Sequence, residues 1–237
     1  MATKNQICNL ALGRIRAGVV NDVDNETSAQ AIQCQVFYDV TVEHLLAMYP
    51  WMWARKTIAL APTTGYTQLG WRYEYAYPNQ CAQMIALVPQ SLVTTSGSST
   101  GPLTPGVSQP STDLAPIPFE IASTNDVLSD DTVIRTDQDG AYGIYTYAVT
   151  NEQRFPALFV QALSWLLAVD LAMNLGGDST KYYRDRAMTN FVSAMDLAAA
   201  QDLNQSEQGR PRMPASIAAR YAYGSAPWRN DLPYMRF

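Results

Sequence analysis

Residues 155–171 read FPALFVQALSWLLAVDL, and a helix drawn through them is apolar on nearly every side. Asp170 is the only charged residue in this segment. Pro156 fits the first turn of a helix, where a missing N–H group removes no hydrogen bond. A helix that is apolar nearly all round lies at the centre of a core rather than on a surface. These residues therefore predict one long central helix, with the other elements packed around it.

A further helix is predicted directly after the central one. Gly176 and Gly177 indicate a stop, and either Asp178 or Ser179 is suited to cap the helix that follows. The predicted buried stripe of that helix comprises Tyr182, Tyr183, Ala187, Phe191, Ala194, Met195 and Ala198.

Two more helices are predicted in the first fifty residues. The first has a shared apolar face and ends by Gly18, and the second runs from near 26–28 to Tyr49, because Pro50 cannot extend a helix. The predicted apolar face of the first comprises Ile7, Leu10, Ala11 and Ile15. The predicted buried stripe of the second comprises Ala29, Ile32, Val36, Val40 and Leu45, with Phe37, His44 and Met48 beside it.

Between residues 51 and 150 the pattern changes to strands. Aromatic and β-branched runs bounded by Pro and Gly predict strands at 57–60, 71–77, 84–88, 119–122, 132–135 and 142–148. Alternation within 71–77 places an aromatic ladder on one sheet face, with Arg72 and Glu74 on the other. The ladder comprises Trp71, Tyr73, Tyr75 and Tyr77. We interpret it as core or subunit-interface packing, because the basic residues that a base-stacking platform needs are few here.

Together these elements predict an α+β fold. An antiparallel bundle of about four helices is formed by residues 1–55 and 151–205, and an antiparallel β subdomain is inserted over 56–150. A long loop at 91–118, of which roughly two-thirds is Ser, Thr, Gly or Pro, joins two of its strands. Residues 206–237 are predicted to be an extended C-terminal tail.

Composition excludes several classes of protein. The 237 residues are 47% hydrophobic but only 16% charged, below the usual quarter or so, which favours a surface covered by neighbours. A formal net charge of −5 argues against general duplex binding. The three cysteines are widely spaced, so no disulfide framework is expected. No secretory signal is evident, and residues 162–175 are expected to be too short to cross a membrane.

The predicted tail differs from the rest in charge and in ring content. Five arginines against Glu207 and Asp231 give it about +3, which leaves about −8 for the remainder. Four prolines rule out long regular elements there. Arginine with aromatic residues is typical of binding hot spots, so we expect this segment to dock on a partner. The candidate contact residues are Arg210, Arg212, Arg220, Tyr221, Tyr223, Trp228, Arg229 and Phe237.

Catalytic and metal-binding patterns are few. His44 is the only histidine, no Gly-x-Ser-x-Gly or phosphate-binding glycine motif occurs, and the cysteines lack zinc-ligand spacing. We therefore expect no catalytic residues, no metal and no cofactor. An acidic cluster could be a calcium site or a glycosidase carboxylate pair, but turn residues at strand ends explain it more simply. The cluster comprises Asp126, Asp130, Asp131, Asp137 and Asp139.

The order of four motifs carries a family resemblance that covers about residues 1–205. These are AMYPWMWAR at 47–55, WRYEYAYPNQC at 71–81, VIRT at 133–136 and FPALFVQAL at 155–163. In this order the chain resembles the head-to-tail adaptor, or tail tubular protein A, family of short-tailed bacteriophages. The insertion at 91–118 departs from a compact version of that family, and the tail has no residue-by-residue match.

The resemblance implies a structural virion protein made in the host bacterial cytoplasm and placed at the head–tail junction. Its partners would be further copies of itself in a ring of twelve, the portal protein and the tail nozzle protein. DNA would pass through the channel during ejection without specific binding, and no membrane would be involved. The tail residues named above would bind the portal, and the aromatic ladder would contact a neighbouring subunit or the nozzle.

Two alternatives remain open from the sequence. One is a virion-associated peptidoglycan-degrading enzyme that uses carboxylates such as Glu120, Asp131 or Asp137. The other is a carbohydrate-binding tail module that uses the aromatic ladder. Neither of them requires a cationic, aromatic-rich tail directed at a partner.

Overall fold

The computed structural model describes residues 2–63, 70–89, 117–124 and 131–205. These residues form an α+β fold with four α-helices and two small antiparallel sheets. Most of the predicted loop, Asp126 and Asp130 of the acidic cluster, and the whole predicted tail lie outside the described residues. Contacts divide the chain into a first unit, Met1–Leu203, and a second, Asn204–Phe237, so the helices up to Leu203 and both sheets belong to the first.

The helices begin and end at residues suited to those positions. Their bounds are α1 Lys4–Ile15, α2 Ala29–Met48, α3 Ala157–Leu175 and α4 Thr180–Gln205. The Thr3 hydroxyl accepts from the backbone N–H of Gln6 in a capping box, and the Ser28 hydroxyl caps α2 by accepting from the backbone N–H of Ala31. The first helix ends at Ile15, earlier than the expected Gly18, because Arg16 adopts a left-handed conformation at φ 58°.

The described part of the chain contains six strands, which form two three-stranded sheets. Their bounds are β1 Arg55–Ala59, β2 Tyr73–Ala76, β3 Cys81–Pro89, β4 Phe119–Ser123, β5 Thr132–Thr136 and β6 Ala141–Tyr147. The first sheet has the order β1-β6-β3 and the second the order β2-β5-β4, and every pair is antiparallel. All six predicted strands are present, although β2 is shorter than the predicted 71–77.

Two groups of buried side chains hold the unit together. The helical core joins all four helices, and its residues come from before 55 and after 148 in the chain. The sheet core lies between the strands and includes Leu60, Tyr75, Leu87, Ile134 and Tyr145. The half-buried Tyr147 packs against both cores, so β6 connects them.

The central helix is confirmed. With 19 residues it is longer than the segment 162–175, which was expected to be too short to cross a membrane. By length and composition alone α3 could cross a membrane, with 19 residues and a mean hydropathy of 1.6 in its most apolar window. More than half of that window, 56%, is buried inside the fold. The interior position of α3 therefore accounts for its apolar character, as expected of a core helix.

Three predicted helix faces need correction. On α2, the residues Ile32, Val36 and Val40 are exposed, and on α1 and α4 the same is true of Leu10 and Tyr182. The buried positions of α2 are instead Ala31, Cys34, Tyr38, Thr41, Val42, Leu45 and Leu46. The prediction was wrong because α2 carries apolar residues on opposite faces, and periodicity alone does not say which face meets the core.

The segment between α2 and β1 is fixed by aromatic packing. Trp51 is 1% exposed, its indole N–H donates to the Leu45 carbonyl at 2.9 Å, and its ring meets Phe159 edge-on at 5.1 Å. Trp53 also packs on Phe159, at 5.0 Å between ring centroids. The carboxylate of Asp202 accepts from the backbone N–H of Met52 at 2.7 Å, which ties α4 to this junction.

Candidate functional site

The most prominent candidate surface is an apolar row on the solvent side of α2. Ile32, Val36 and Val40 are 45%, 58% and 65% exposed and follow one another every fourth residue. With 3.6 residues per turn, this spacing aligns them along one side of the helix. We call these three residues the outer stripe of α2. Because extended exposed apolar patches mark interaction sites, we treat the outer stripe as a candidate for such a site.

The orientation of the outer stripe is set by the opposite face of the helix. The inner face is buried in the helical core, with Cys34, Leu45 and Leu46 fully covered. There the single hydrogen of the Thr41 hydroxyl is shared between the Phe37 carbonyl at 2.7 Å and the Asp170 carboxylate on α3 at 3.2 Å. Rotating α2 to bury the outer stripe would break these contacts and expose the inner face.

The C-terminal half of the outer face borders a cleft of about 890 Å³. One wall consists of Val40, Glu43, His44 and Ala47 from α2. The other wall is made by residues 76–82 and 131–133 at the ends of β2, β3 and β5. The cleft thus continues the outer stripe toward the second sheet.

The polar groups in this cleft do not form a nucleophilic centre among the described residues. Burial raises the pKa of the Cys81 thiol, which donates to the Tyr77 hydroxyl oxygen at 3.2 Å and stays protonated at neutral pH. His44 is exposed and interacts electrostatically with Asp170, which Thr41 already holds. Within the described residues, no group of three or more His, Cys, Asp or Glu side chains could hold a metal ion.

A second cavity, of about 440 Å³, is lined by arginines. Arg14, Arg16 and Arg186 meet there beside Trp165. The Arg14 guanidinium lies 3.8 Å from the centroid of the Trp165 ring and donates to the Gln161 carbonyl at 3.1 Å. Burial lowers the pKa of Arg14 to about 10, so it remains cationic at neutral pH. The first unit thus has a basic region at α1 and α4, although the whole chain is acidic.

The predicted aromatic ladder packs mainly within its own chain. Tyr75 is 3% exposed, and its hydroxyl donates to the Gln138 carbonyl at 2.9 Å. Tyr73 stacks on Tyr75 at 6.5 Å, and both Tyr73 and Tyr77 are half-buried against the sheet core. Trp71 donates from its indole nitrogen to Glu120 at 2.8 Å. Core packing therefore accounts for Tyr75, and the other three rings keep part of their surface exposed.

The opposite face of β2 holds a feature that the sequence reading missed. Glu74 was expected on the polar face, yet it is buried and paired with Arg135 of β5, with 3.0 Å between Nε and Oε2. These residues stand directly opposite each other in the antiparallel register. Opposite charges in two predicted strands were the available signal, but strand pairing has to be known before they can be matched.

Two of the carboxylates considered for catalysis are already engaged. Glu120 accepts from Trp71, and Asp137 accepts from the backbone N–H of Arg72 at 3.1 Å. Asp131 lies at the cleft described above. Of the acidic cluster, Asp126 and Asp130 lie outside the described residues.

The candidate portal contacts all fall outside the part of the chain that the structure describes. They are Arg210, Arg212, Arg220, Tyr221, Tyr223, Trp228, Arg229 and Phe237. No protein-family model matches the chain, and no curated protein matches it with significant similarity. The arrangement of surfaces in the first unit is therefore the basis for inferring a role.

Proposed function

We propose that the protein is a non-enzymatic structural component of a virion, a head-to-tail adaptor that forms a ring, twelve-fold in the resembled family, between portal and tail nozzle. In this proposal the helices form the bundle of the adaptor body, and residues 206–237 form the portal-docking tail. DNA passes through the ring without specific binding. The family resemblance stated above supplies the identity of the partners, and the surfaces of the first unit support the class of function.

The observation that carries the proposal is the exposure of the outer stripe on a helix whose other face is fully buried. A helix that is apolar nearly all round is typically buried on both faces. Val36 and Val40 are more than half exposed, so this chain leaves one face for another protein. Obligate assemblies bury such surfaces in interfaces that often exceed about 2,000 Å².

The net negative charge of the chain supports a channel through which DNA passes without binding. The chain carries −5 overall, and residues before 206 carry about −8, so phosphates meet net repulsion from the body as a whole. The basic region at Arg14, Arg16 and Arg186 is local. Trp71, Tyr73 and Tyr77 remain candidates for contacts with a neighbouring subunit or the nozzle, because each keeps exposed surface.

The test is a binding experiment with portal-bearing heads that lack tails. The full chain is expected to co-sediment with the heads, and a variant without residues 206–237 is expected to stay in the supernatant. Circular dichroism checks that the shortened variant keeps its helices. Arg154→Gln, which removes an exposed arginine from the body, serves as the matched control and should bind normally. Undiminished binding by the shortened variant refutes the proposal.

The enzymatic alternative is tested separately on purified peptidoglycan. The proposal predicts that the full chain releases no soluble fragments. Release that is lost in Glu120→Gln or Asp131→Asn would overturn the proposal in favour of a hydrolase.

A further inference from the structure

We propose that the cavity lined by Arg14, Arg16 and Arg186 binds a single phosphate group, either inorganic phosphate or a terminal phosphate ester. The cavity has a volume of about 440 Å³, and residues of α1, α3 and α4 line it. The inference goes beyond the proposed function and is independent of it, because these arginines belong neither to the outer stripe nor to residues 206–237.

The charge in this cavity is unbalanced. Its lining has three cations and no anion among the residues that the structure describes. The two ion pairs found in that part of the chain, Lys4 with Asp24 and Arg135 with Glu74, involve none of the three arginines. Guanidinium groups around one space repel one another, and the negative end of the α1 dipole offsets only about half a charge. An anion in the cavity would relieve the remaining repulsion.

Arg14 is held in place by its own chain. Trp165 covers one face of the guanidinium, 3.8 Å from the ring centroid, and the Gln161 carbonyl accepts one of its N–H groups at 3.1 Å. A guanidinium has five N–H donors in one plane, so four remain for other acceptors. Because burial lowers the pKa of Arg14 only to about 10, the group is partly desolvated yet cationic at neutral pH. Such a fixed cation loses little entropy when an anion binds.

Arg16 is positioned by the end of α1. The backbone N–H groups of Arg16 and of the next residue donate to two carbonyls in the last turn of the helix, at 3.3 and 3.0 Å, in a Schellman motif. Asn9 fixes the chain that follows, because its amide donates to the Val20 carbonyl and accepts from the Val20 N–H at 2.8 and 2.9 Å. Glycine is the usual residue at the left-handed position of this motif. Here that position carries a cationic side chain instead.

The number and type of these donors favour phosphate over carboxylate. Guanidinium groups form paired N–H···O bonds with either anion, but a carboxylate has one negative charge and two oxygens. A phosphate monoester carries about −1.5 to −2 at neutral pH and has three free oxygens, one for each arginine. The body carries about −8 before residue 206 and repels a long polyanion, so a single compact phosphate suits both the local and the overall charge.

The test is equilibrium dialysis of the full chain against radiolabelled inorganic phosphate at constant ionic strength. The unaltered chain is expected to bind phosphate saturably, with one site per chain. Arg16→Gly and Arg186→Gln should each raise the dissociation constant about tenfold or more, because each removes charge-assisted hydrogen bonds. Arg184→Gln is the matched control. It removes an exposed arginine of α4 that does not line the cavity, and it should change the constant less than about twofold.

The variant Arg16→Gly also separates loss of binding from loss of the fold. Because glycine suits the left-handed position, this variant should melt at the same temperature as the unaltered chain or higher. Lower affinity with an undiminished melting temperature then reports on the guanidinium group itself. Three results each overturn the inference: no saturable binding by the unaltered chain at millimolar phosphate, unchanged affinity in both lining variants, or an equal loss of affinity in Arg184→Gln.

Competition identifies the source of the phosphate group. Two short single-stranded oligonucleotides of the same sequence, one with a terminal phosphate and one without, are added to the dialysis with labelled phosphate. Displacement by the phosphorylated strand alone supports a terminal ester as ligand, and displacement by neither strand supports free phosphate. Equal displacement by both would overturn the assignment of a single phosphate group, because backbone diesters would then be sufficient for binding.

Discussion

At Glu74 and Arg135 the fold places two opposite charges inside a small sheet. Their side chains are 2% and 10% exposed. The Thr63 hydroxyl donates to the second carboxylate oxygen at 3.1 Å, and the other arm of the guanidinium donates to the Ser123 carbonyl at 3.2 Å. Buried ions are tolerated when their hydrogen-bonding groups are satisfied in this way, and a lone buried charge is strongly unfavourable.

Removing one member of this pair should therefore cost far more than removing both. We expect Glu74→Gln to lower the free energy of unfolding by about 3–5 kcal/mol, because Arg135 is then buried without a counterion. The double variant Glu74→Leu with Arg135→Met should cost much less, or even stabilise. Urea unfolding measures both. Lys4→Gln, which removes the more exposed pair with Asp24, is the comparison and should cost about 1 kcal/mol or less. Equal losses from the single and double variants would contradict this account.

Asp170 is the one charged residue of α3, and its surroundings make stability depend on pH. Burial raises the pKa of its carboxyl, although the hydrogen bond from Thr41 and the charge of His44 act in the opposite direction. Folding therefore favours the protonated acid. The stability that this preference contributes is complete below the ordinary Asp pKa and is lost as the pH rises through the raised value.

The variant Asp170→Asn should remove that loss. Asparagine stays neutral and its side-chain oxygen can still accept from Thr41, so we expect a higher melting temperature than the unaltered chain at pH 7. The difference should shrink toward zero as the pH is lowered below about 4. Melting curves at successive pH values measure this, with the exposed Asp185→Asn as control. A lower melting temperature for Asp170→Asn at pH 7 would show that the interaction with His44 outweighs burial.

At the scale of single elements, the turn between α3 and α4 depends on a residue without a side chain. A Cβ atom on Gly176 would lie 2.5 Å from the Ala172 carbonyl oxygen and 2.8 Å from the Cα of Thr180. Both are backbone atoms, so relief would require moving one of the helices. Gly13 within α1 differs, since nothing lies within 4 Å of an added Cβ.

Alanine substitutions at these two glycines should thus change the free energy of unfolding in opposite directions. Gly176→Ala is expected to destabilise by about 2 kcal/mol or more through backbone strain. Gly13→Ala is expected to stabilise by roughly 0.5–1 kcal/mol, because alanine loses less conformational entropy in a helix. Chemical unfolding of the two variants in parallel gives the comparison. A neutral Gly176→Ala would show that the turn can shift at little cost.

The helices and strands also show which structural features can be predicted from the sequence pattern. The ends of α2 follow from Ser28 and Pro50, and the strands follow from local β-branched and aromatic runs, because caps and breakers act locally. The buried face of α2 could not be predicted in this way, since Ile32, Val36 and Val40 are as apolar as the residues that face the core. The Glu74–Arg135 pair was missed for a related reason, because it depends on which strands become neighbours. The buried face of α2 and the Glu74–Arg135 pair both depend on which elements pack together in the folded chain, and local sequence does not reveal this.

At the scale of the whole molecule, the described residues of the first unit form two cores that are joined through one sheet. The helical core includes the fully buried Leu163, and the sheet core includes the fully buried Ile134. Tyr147 of β6 packs against both cores. Ala82 of β3 packs against the helical core, and Met84, two residues further along the same strand, belongs to the sheet core. Unfolding of either core would therefore expose residues of the other core to solvent.

This coupling predicts that the first unit unfolds in a single cooperative transition. Leu163→Ala and Ile134→Ala should each lower the free energy of unfolding by about 2–5 kcal/mol, since each leaves a cavity in a packed core. Hydrogen exchange resolved by segment should show that either variant accelerates the slowest amides of α3 and β5 by the same factor, because those amides exchange through global unfolding. The half-exposed Val192→Ala is the control and should change neither rate by much. Acceleration confined to β5 in Ile134→Ala would instead mean that the sheets unfold independently of the helices, so that β6 does not transmit stability between the cores.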